Sequence, residues 1–245
     1  MTTHYKNNIP HSGVVQSEGQ RWLAPILRSS IWREDEANTN KLDVNFVEPG
    51  LRRKLSLLVK MSLKVAHDCT DQLSGVHLVF ASRHGDLSGT TDMLNDLADA
   101  QPLSPTTFSM SVLNAFTGVF SISKQEQLPS VSITAGRSSF GFGLLEASLQ
   151  LMSNPTVPVL YVYADVPASS VYRIASGDAF VPHAIALLLS SEAKTHIMCE
   201  MREAVSDVHL DTRAQSDVFI DCLDGSTPQS WQDEGRVWTW GRCAY

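Results

Sequence analysis

Between Pro129 and Ala147 the sequence reads PSVSITAGRSSFGFGLLEA, a short apolar strand that runs into a turn of small residues and then a helix. Such a turn lifts one side chain above the end of a sheet, and the following helix offers backbone N–H groups and a positive dipole end to a developing anion. Acyl transfer is the chemistry this arrangement serves. At its tip, however, stands Gly136, which supplies no attacking atom. Ser138 and Ser139 follow at once, and either would be a nucleophile if a base and an orienting acid were brought to it. The chain has no G-x-S-x-G pattern here, and serine at a helix start ordinarily serves as a cap.

Other reactive residue types are weaker candidates. Arg137 with the two serines suits an anion at a helix start, although plain capping accounts for the same residues. Glu146 sits among Phe142, Leu145 and Leu149, and a lone carboxylate on a helix is ordinarily solvated or paired rather than a general base. The pairs His67–Asp68 and His84/Asp86 read as surface, because such close neighbours do not share a helix face. Cys69, Cys199, Cys222 and Cys243 show no CxxC spacing and no nearby histidine pattern. They read as free thiols, mostly buried, of a reducing compartment, with no metal site.

These residues need a scaffold, and hydrophobic patterning supplies one. From Pro49, near an N1 position, Leu51, Leu55, Leu58, Val59, Leu63 and Ala66 recur at helical spacing through about His67. Val76–Ser82 is a buried strand between glycines, and Thr90–Ala100 a helix with Met93, Leu94 and Leu97 inward. Pro102–Ser111 reads as a loop and Asn114–Ile122 as a short helix. Val131–Thr134, Val157–Tyr163 and Ala184–Leu189 read as strands, and Ser138–Met152 as a helix whose Gly141 and Gly143 imply close packing. This alternation implies a layered α/β domain with a largely parallel sheet. Upstream, Gly13–Gln16 reads as a short strand and Arg21–Asn45 as loop or short helix. Downstream, Thr195–Met201 and Arg236–Tyr245 read as strands joined by a polar stretch, Ser206–Gln232.

With 245 residues and 43% hydrophobic content, the chain is long enough for one large domain, or a domain with an appendage, and for a substantial core. A net charge of −7 without a dense Lys/Arg cluster argues against a nucleic-acid partner. The N-terminus lacks a signal peptide and no apolar run reaches membrane-spanning length, so a cytoplasmic location is expected.

Several of these segments together carry a resemblance. Ser104-Pro105, Phe108-Ser-Met-Ser-Val-Leu-Asn114-Ala-Phe-Thr-Gly118 and Pro129-Ser-Val-Ser-Ile-Thr-Ala-Gly136 resemble the SPxxF…N-A-x-x-G…P-S-x-x-I-x-A-C run of β-ketoacyl synthases. The segments Leu51–Met61 and Val237–Trp240 also suit the short synthase-like chain-length factors of aryl-polyene gene clusters. The resemblance implies a thiolase-like layered α/β/α domain, half of a condensing-enzyme fold. It divides the chain into an N-terminal extension (1–48), a synthase N-terminal-like domain (49–190) and a strand-containing C-terminal extension (191–245) packed on the same domain.

In those enzymes the position of Gly136 holds the acyl-accepting cysteine, and two catalytic histidines come from a C-terminal half without counterpart in this sequence. His183 and His196 do not stand in the family's context. The resemblance therefore implies no intrinsic condensing activity and no cofactor. It implies instead a chain-length factor in a heterodimer with a full-length ketosynthase, acting on an acyl chain carried by acyl carrier protein. Val131, Ser132, Ile133, Thr134 and Asn114 would then lie at the interface, and Phe108, Met110, Val112 and Phe116 along the acyl tunnel. Two other readings stay open: an independent acyltransferase or hydrolase using Ser138 or Ser139, and a simple acyl-chain or carrier-binding module.

Overall fold

One eight-stranded mixed sheet runs through the chain, with helices on both faces. The structure, a computed structural model, describes residues 19–34, 42–70, 73–125, 127, 129–169, 172, 181–204, 211–225, 227–233 and 235–243. The strands are β1 (Gln20–Arg33), β2 (His77–Ala81), β3 (Ser130–Ile133), β4 (Val159–Asp165), β5 (His183–Leu189), β6 (Thr195–Glu203), β7 (Gln229–Asp233) and β8 (Arg236–Cys243). Their order across the sheet is β3-β2-β4-β5-β1-β6-β8-β7. Only β3, β2 and β4 run parallel; every other pairing is antiparallel. The expectation of a largely parallel sheet is thus corrected. A continuous apolar run such as HAIALLL in β5 reports burial on both faces, not strand direction.

The helices are α1 (Pro49–Arg52), α2 (Leu57–Thr70), α3 (Leu87–Ala98), α4 (Pro105–Ser111), α5 (Ala115–Lys124), α6 (Ser139–Ser153) and α7 (Gln215–Asp224). Alternate residues of the central strands feed two cores. Leu78 and Phe80, Leu160 and Val162, and Ala186 and Leu188 meet α2 and α5 on one face. Val79, Tyr161, Ile185 and Leu187 meet α6 and α7 on the other. This is the α/β/α layering.

Several elements differ from the sequence reading. Arg21–Asn45 holds β1, a 14-residue strand between β5 and β6. Pro25 disguises it, and a register shift between Ile26 and Arg28 breaks its alternation. Ala24 and Ile26 consequently face the α6 layer, whereas Trp32 faces the α2 layer. The long helix expected from Pro49 is two helices, with Ser56 Oγ accepting from Val59 N (3.4 Å) at the start of the second. Pro102–Ser111 includes helix α4, capped by Ser104 with proline at its start. The stretch Ser206–Gln232 contains α7 and β7. On α3, Met93 is buried but Leu94 and Leu97 are 52% and 56% exposed, so they point outward. The strand expected at Gly13–Gln16 lies outside the described residues.

The glycines of α6 behave as expected. A Cβ on Gly141 would lie 2.6 Å from the Trp238 ring, and one on Gly143 would lie 2.6 Å from Tyr161 and 2.8 Å from the Ala81 Cβ. Close approach of β8, β4 and β2 to this helix requires both positions to lack a side chain.

Candidate functional site

Gly136 stands at the carboxyl end of β3 with φ +57°, a left-handed value that glycine adopts without strain. It is exposed, and a Cβ added there meets nothing within 4 Å. The elbow geometry is therefore present, with open space where a nucleophile would stand.

The groups behind the tip are committed to one another. Ser139 Oγ accepts from Ala135 N (2.8 Å) and donates to Gly136 O (2.7 Å), which stitches the turn closed. Ser138 Oγ donates to Asp233 Oδ2 of β7 (2.6 Å) and accepts from Trp238 Nε1 of β8 (3.2 Å). Gly141 N, in the first turn of α6, donates to Gln215 Oε1 of α7 (2.7 Å). Residues from the C-terminal segment thus answer polar groups at the start of α6, where an anion would otherwise be drawn. Both serines are buried and neither hydrogen-bonds to a histidine. A serine-directed fluorophosphonate is accordingly expected to leave Ser138 and Ser139 unlabelled, as read by peptide mass spectrometry; stoichiometric labelling of either would revive the acyl-hydrolase reading.

The remaining candidates disperse. Glu146 accepts from Gln150 Nε2 one turn along its helix (2.8 Å). His67 stacks on Phe46 at 4.1 Å while Asp68 pairs with Lys64, and Asp86 accepts from Gly89 N (3.3 Å) at the start of α3. His183 is buried between Val181 O (3.0 Å) and Ser216 Oγ (2.6 Å), and desolvation holds its pKa below the usual histidine value. Cys69, Cys199 and Cys222 are buried free thiols; desolvation pushes Cys69 up to about 12 and Cys199 well above its ordinary range, so neither is a thiolate nucleophile. Among the described residues no group of three His, Cys, Asp or Glu is arranged for a metal ion.

Asp165, at the end of β4, is the strongly perturbed acid that the sequence reading passed over. Burial raises its pKa from 3.8 to about 7, against the opposing hydrogen bonds from His84 N, Ser82 and Tyr163. The folded state therefore holds this proton more tightly than the unfolded chain. Asp165 contributes most stability below about pH 4, and that contribution is lost as pH rises through about 7. Asp165→Asn is expected to flatten this loss, which is of the order of 4 kcal/mol at most. Urea titrations of both proteins at pH 5 and pH 8 check it, and parallel pH dependence would contradict the assignment. The sequence signal was an acid closing an otherwise apolar strand, LYVYAD.

The tunnel candidates separate. Phe108 and Val112 are 61% and 43% exposed, and Met110 packs partly against the α2-side core. Phe116 is 1% exposed and packs on Phe80 (4.9 Å) and Phe120 (5.8 Å), so its ring belongs to the interior. Of the interface candidates, Val131, Ser132 and Ile133 form edge strand β3, which pairs with β2 on one side and with no described strand on the other. Thr134 follows it, exposed, with its hydroxyl on Arg83 O (3.1 Å), and Asn114 is exposed at the start of α5 without a capping bond. Leu94, Leu97, Phe108, Val112 and Ile122 are exposed on α3, α4 and α5, which pack in succession.

Residues 22–241 match the family model of the β-ketoacyl synthase N-terminal domain. The chain belongs to that family. Among solved structures it is similar to a chain of a ketosynthase (ApeO) in complex with its chain length factor (ApeC) from Xenorhabdus doucetiae, at 27% identity and TM-score 0.72 over 82% of this chain and 83% of that one. The ishigamide ketosynthase/chain length factor (16% identity, TM-score 0.54, 72% of this chain and 60% of that one) shares the fold. So does a β-ketoacyl synthase from Burkholderia phymatum (8% identity, TM-score 0.52, 75% and 55%). No curated protein matches the chain. The thiolase-like fold of the condensing enzymes follows. No described helix is long and apolar enough to cross a membrane.

Proposed function

We propose that this chain is a non-catalytic chain-length factor that joins a full-length ketosynthase in a heterodimer and shapes the distal end of an acyl tunnel in aryl-polyene or related polyketide synthesis. The observation that carries this reading is the open edge of β3, which leads directly into a nucleophile position occupied by glycine. A partner strand on that edge would satisfy its free backbone groups and join two sheets into one. Exposed apolar side chains on α3 to α5 supply surface to bury beside it. The partner holds the acyl chain, delivered by acyl carrier protein, on its own nucleophile. Phe108, Met110 and Val112 are the side chains through which this subunit would limit length.

Co-expression with a ketosynthase from the same gene neighbourhood, followed by gel filtration, tests the partnership. One peak holding both chains is expected, and separate elution would refute it. Gly136→Cys has room for its side chain but at a strained φ, and the variant alone is expected to elongate nothing. Elongation by that variant in the absence of a synthase would show that the chain carries its own machinery.

A further inference from the structure

The two faces of edge strand β3 differ. Its register with β2 turns Ser130 and Ser132 to the α5 side, with Leu78 and Phe80, and Val131 and Ile133 to the α6 side, with Val79 and Ala81. On the α6 side a groove of 360 Å3 lies beside the strand. Ile133 forms one wall, and Phe142, Leu145, Glu146 and Leu149, one stripe at helical spacing, form the other. On the α5 side the strand offers hydroxyls, and the buried Ser132 Oγ has no hydrogen-bond partner.

Glu146 is the charged group among the residues that line the groove. Gln150 Nε2 answers its Oε1 (2.8 Å), and its Oε2 accepts from no described residue. Arg236 lies over the Phe142 ring at 5.3 Å without pairing to Glu146. A strand laid along the open edge sends alternate side chains to the two faces. Apolar ones on the α6 side would cover Leu145 and Leu149 and strip water from the Glu146 carboxylate, a cost that a cation on the same strand offsets.

The chain's own β3 meets the first requirement and not the second. Paired antiparallel about a twofold axis, two copies would set Val131 and Ile133 on one shared face and the serines on the other. The stretch from Pro129 to Gly136 carries no basic residue, and Arg137 is engaged with the Trp231 ring (5.3 Å) and with Asp211 O. A second copy would instead bring a second Glu146 to the same face.

We propose that Glu146 selects the strand that joins the β3 edge: it accepts a different chain, whose strand alternates apolar with small polar residues and carries a lysine or arginine on the apolar side, and it rejects a second copy of this chain. The proposal rests on the chain-length-factor reading and adds the chemistry of the partner's strand.

The test uses the purified chain and three blocked peptides that alternate serine with valine, with lysine, norleucine or glutamate in place of one valine. Binding is followed by NMR titration at low salt. The lysine peptide is expected to bind about tenfold more tightly than the norleucine peptide, and the glutamate peptide most weakly. Glu146→Gln should bring the lysine and norleucine peptides within about twofold, and should weaken binding to the synthase about tenfold. In sedimentation equilibrium Glu146→Leu should self-associate at least about tenfold more strongly than the wild type. Equal binding of the three peptides, no binding of any, a lysine advantage that survives Glu146→Gln, or unchanged self-association of Glu146→Leu would overturn the proposal. If the peptides and Glu146→Leu behave as expected although no synthase ever co-elutes, the partnership has failed and the role of Glu146 stands. If the synthase binds wild type and Glu146→Gln alike, the role of Glu146 alone has failed.

Discussion

Trp238→Ala is expected to remove about 3–5 kcal/mol of folding stability, the range for deleting a large buried aromatic. Trp238 is fully buried on β8, edge-on to Trp22 (6.2 Å) and Phe142 (5.1 Å) and stacked with Trp240 (6.4 Å). Its ring fills the space that Gly141 leaves on α6, and its Nε1 holds Ser138, which in turn holds Asp233. Truncation would open a cavity and cut a buried hydrogen-bond chain together. For a domain whose total stability is typically about 5–15 kcal/mol, that is a large share. Trp238→Phe keeps most of the buried area and loses chiefly the indole bond, so it should cost nearer 1–2 kcal/mol. Urea unfolding followed by circular dichroism distinguishes them; equal, small losses would mean that β7 and β8 do not cover α6 tightly.

Ser132→Pro is expected to weaken binding to the partner synthase by about a hundredfold or more while leaving the fold intact. The carbonyls of Pro129 and Ile133 accept from Leu78 and Ser82, on the side of β2. Backbone groups alternate along a strand, so Ser130 and Ser132 direct theirs to the open edge. Proline at 132 removes one outward N–H without disturbing the β2 ladder. A cross-chain sheet would lose a bond and gain a clash at its centre. Unfolding should shift by less than about 1 kcal/mol, because an edge strand tolerates proline where its N–H faces solvent. Unchanged affinity, measured by surface plasmon resonance, would place the interface elsewhere.

Legibility in the sequence followed the physics of each element. Strands β2, β4 and β5 and helix α6 were readable because apolar runs or a helical period define them locally, and β3 from the Ser-Val-Ser-Ile alternation that leads into the glycine turn. β1 was not, since Pro25 removes a ladder donor and the irregularity after Ile26 flips which face its side chains serve. Its place between β5 and β6 depends on pairings about 160 residues away, such as Ile31 with Ile185 and Trp22 with Cys199. α4 was hidden by its prolines, although Ser104 followed by Pro105 is a helix-start signal.

The turn at Gly136 was visible as a motif, but its closure was not. Asp233, Gln215 and Trp238 come from 74 to 100 residues downstream of their partners, and only the folded sheet brings them to the start of α6. Leu94 and Leu97 carry the helical spacing that ordinarily marks a core face. Their exposure makes them, like the open edge of β3, surface that calls for a partner.

The most direct measurement of the central claim is the length of acyl chains made by the partner ketosynthase with and without this chain, using one primer, malonyl donor and carrier protein. The synthase alone is expected to make little product or products of scattered length, and adding this chain to fix one length without adding a second acyl-enzyme. Products of identical length and amount in both reactions, from a synthase shown to be active, would contradict it.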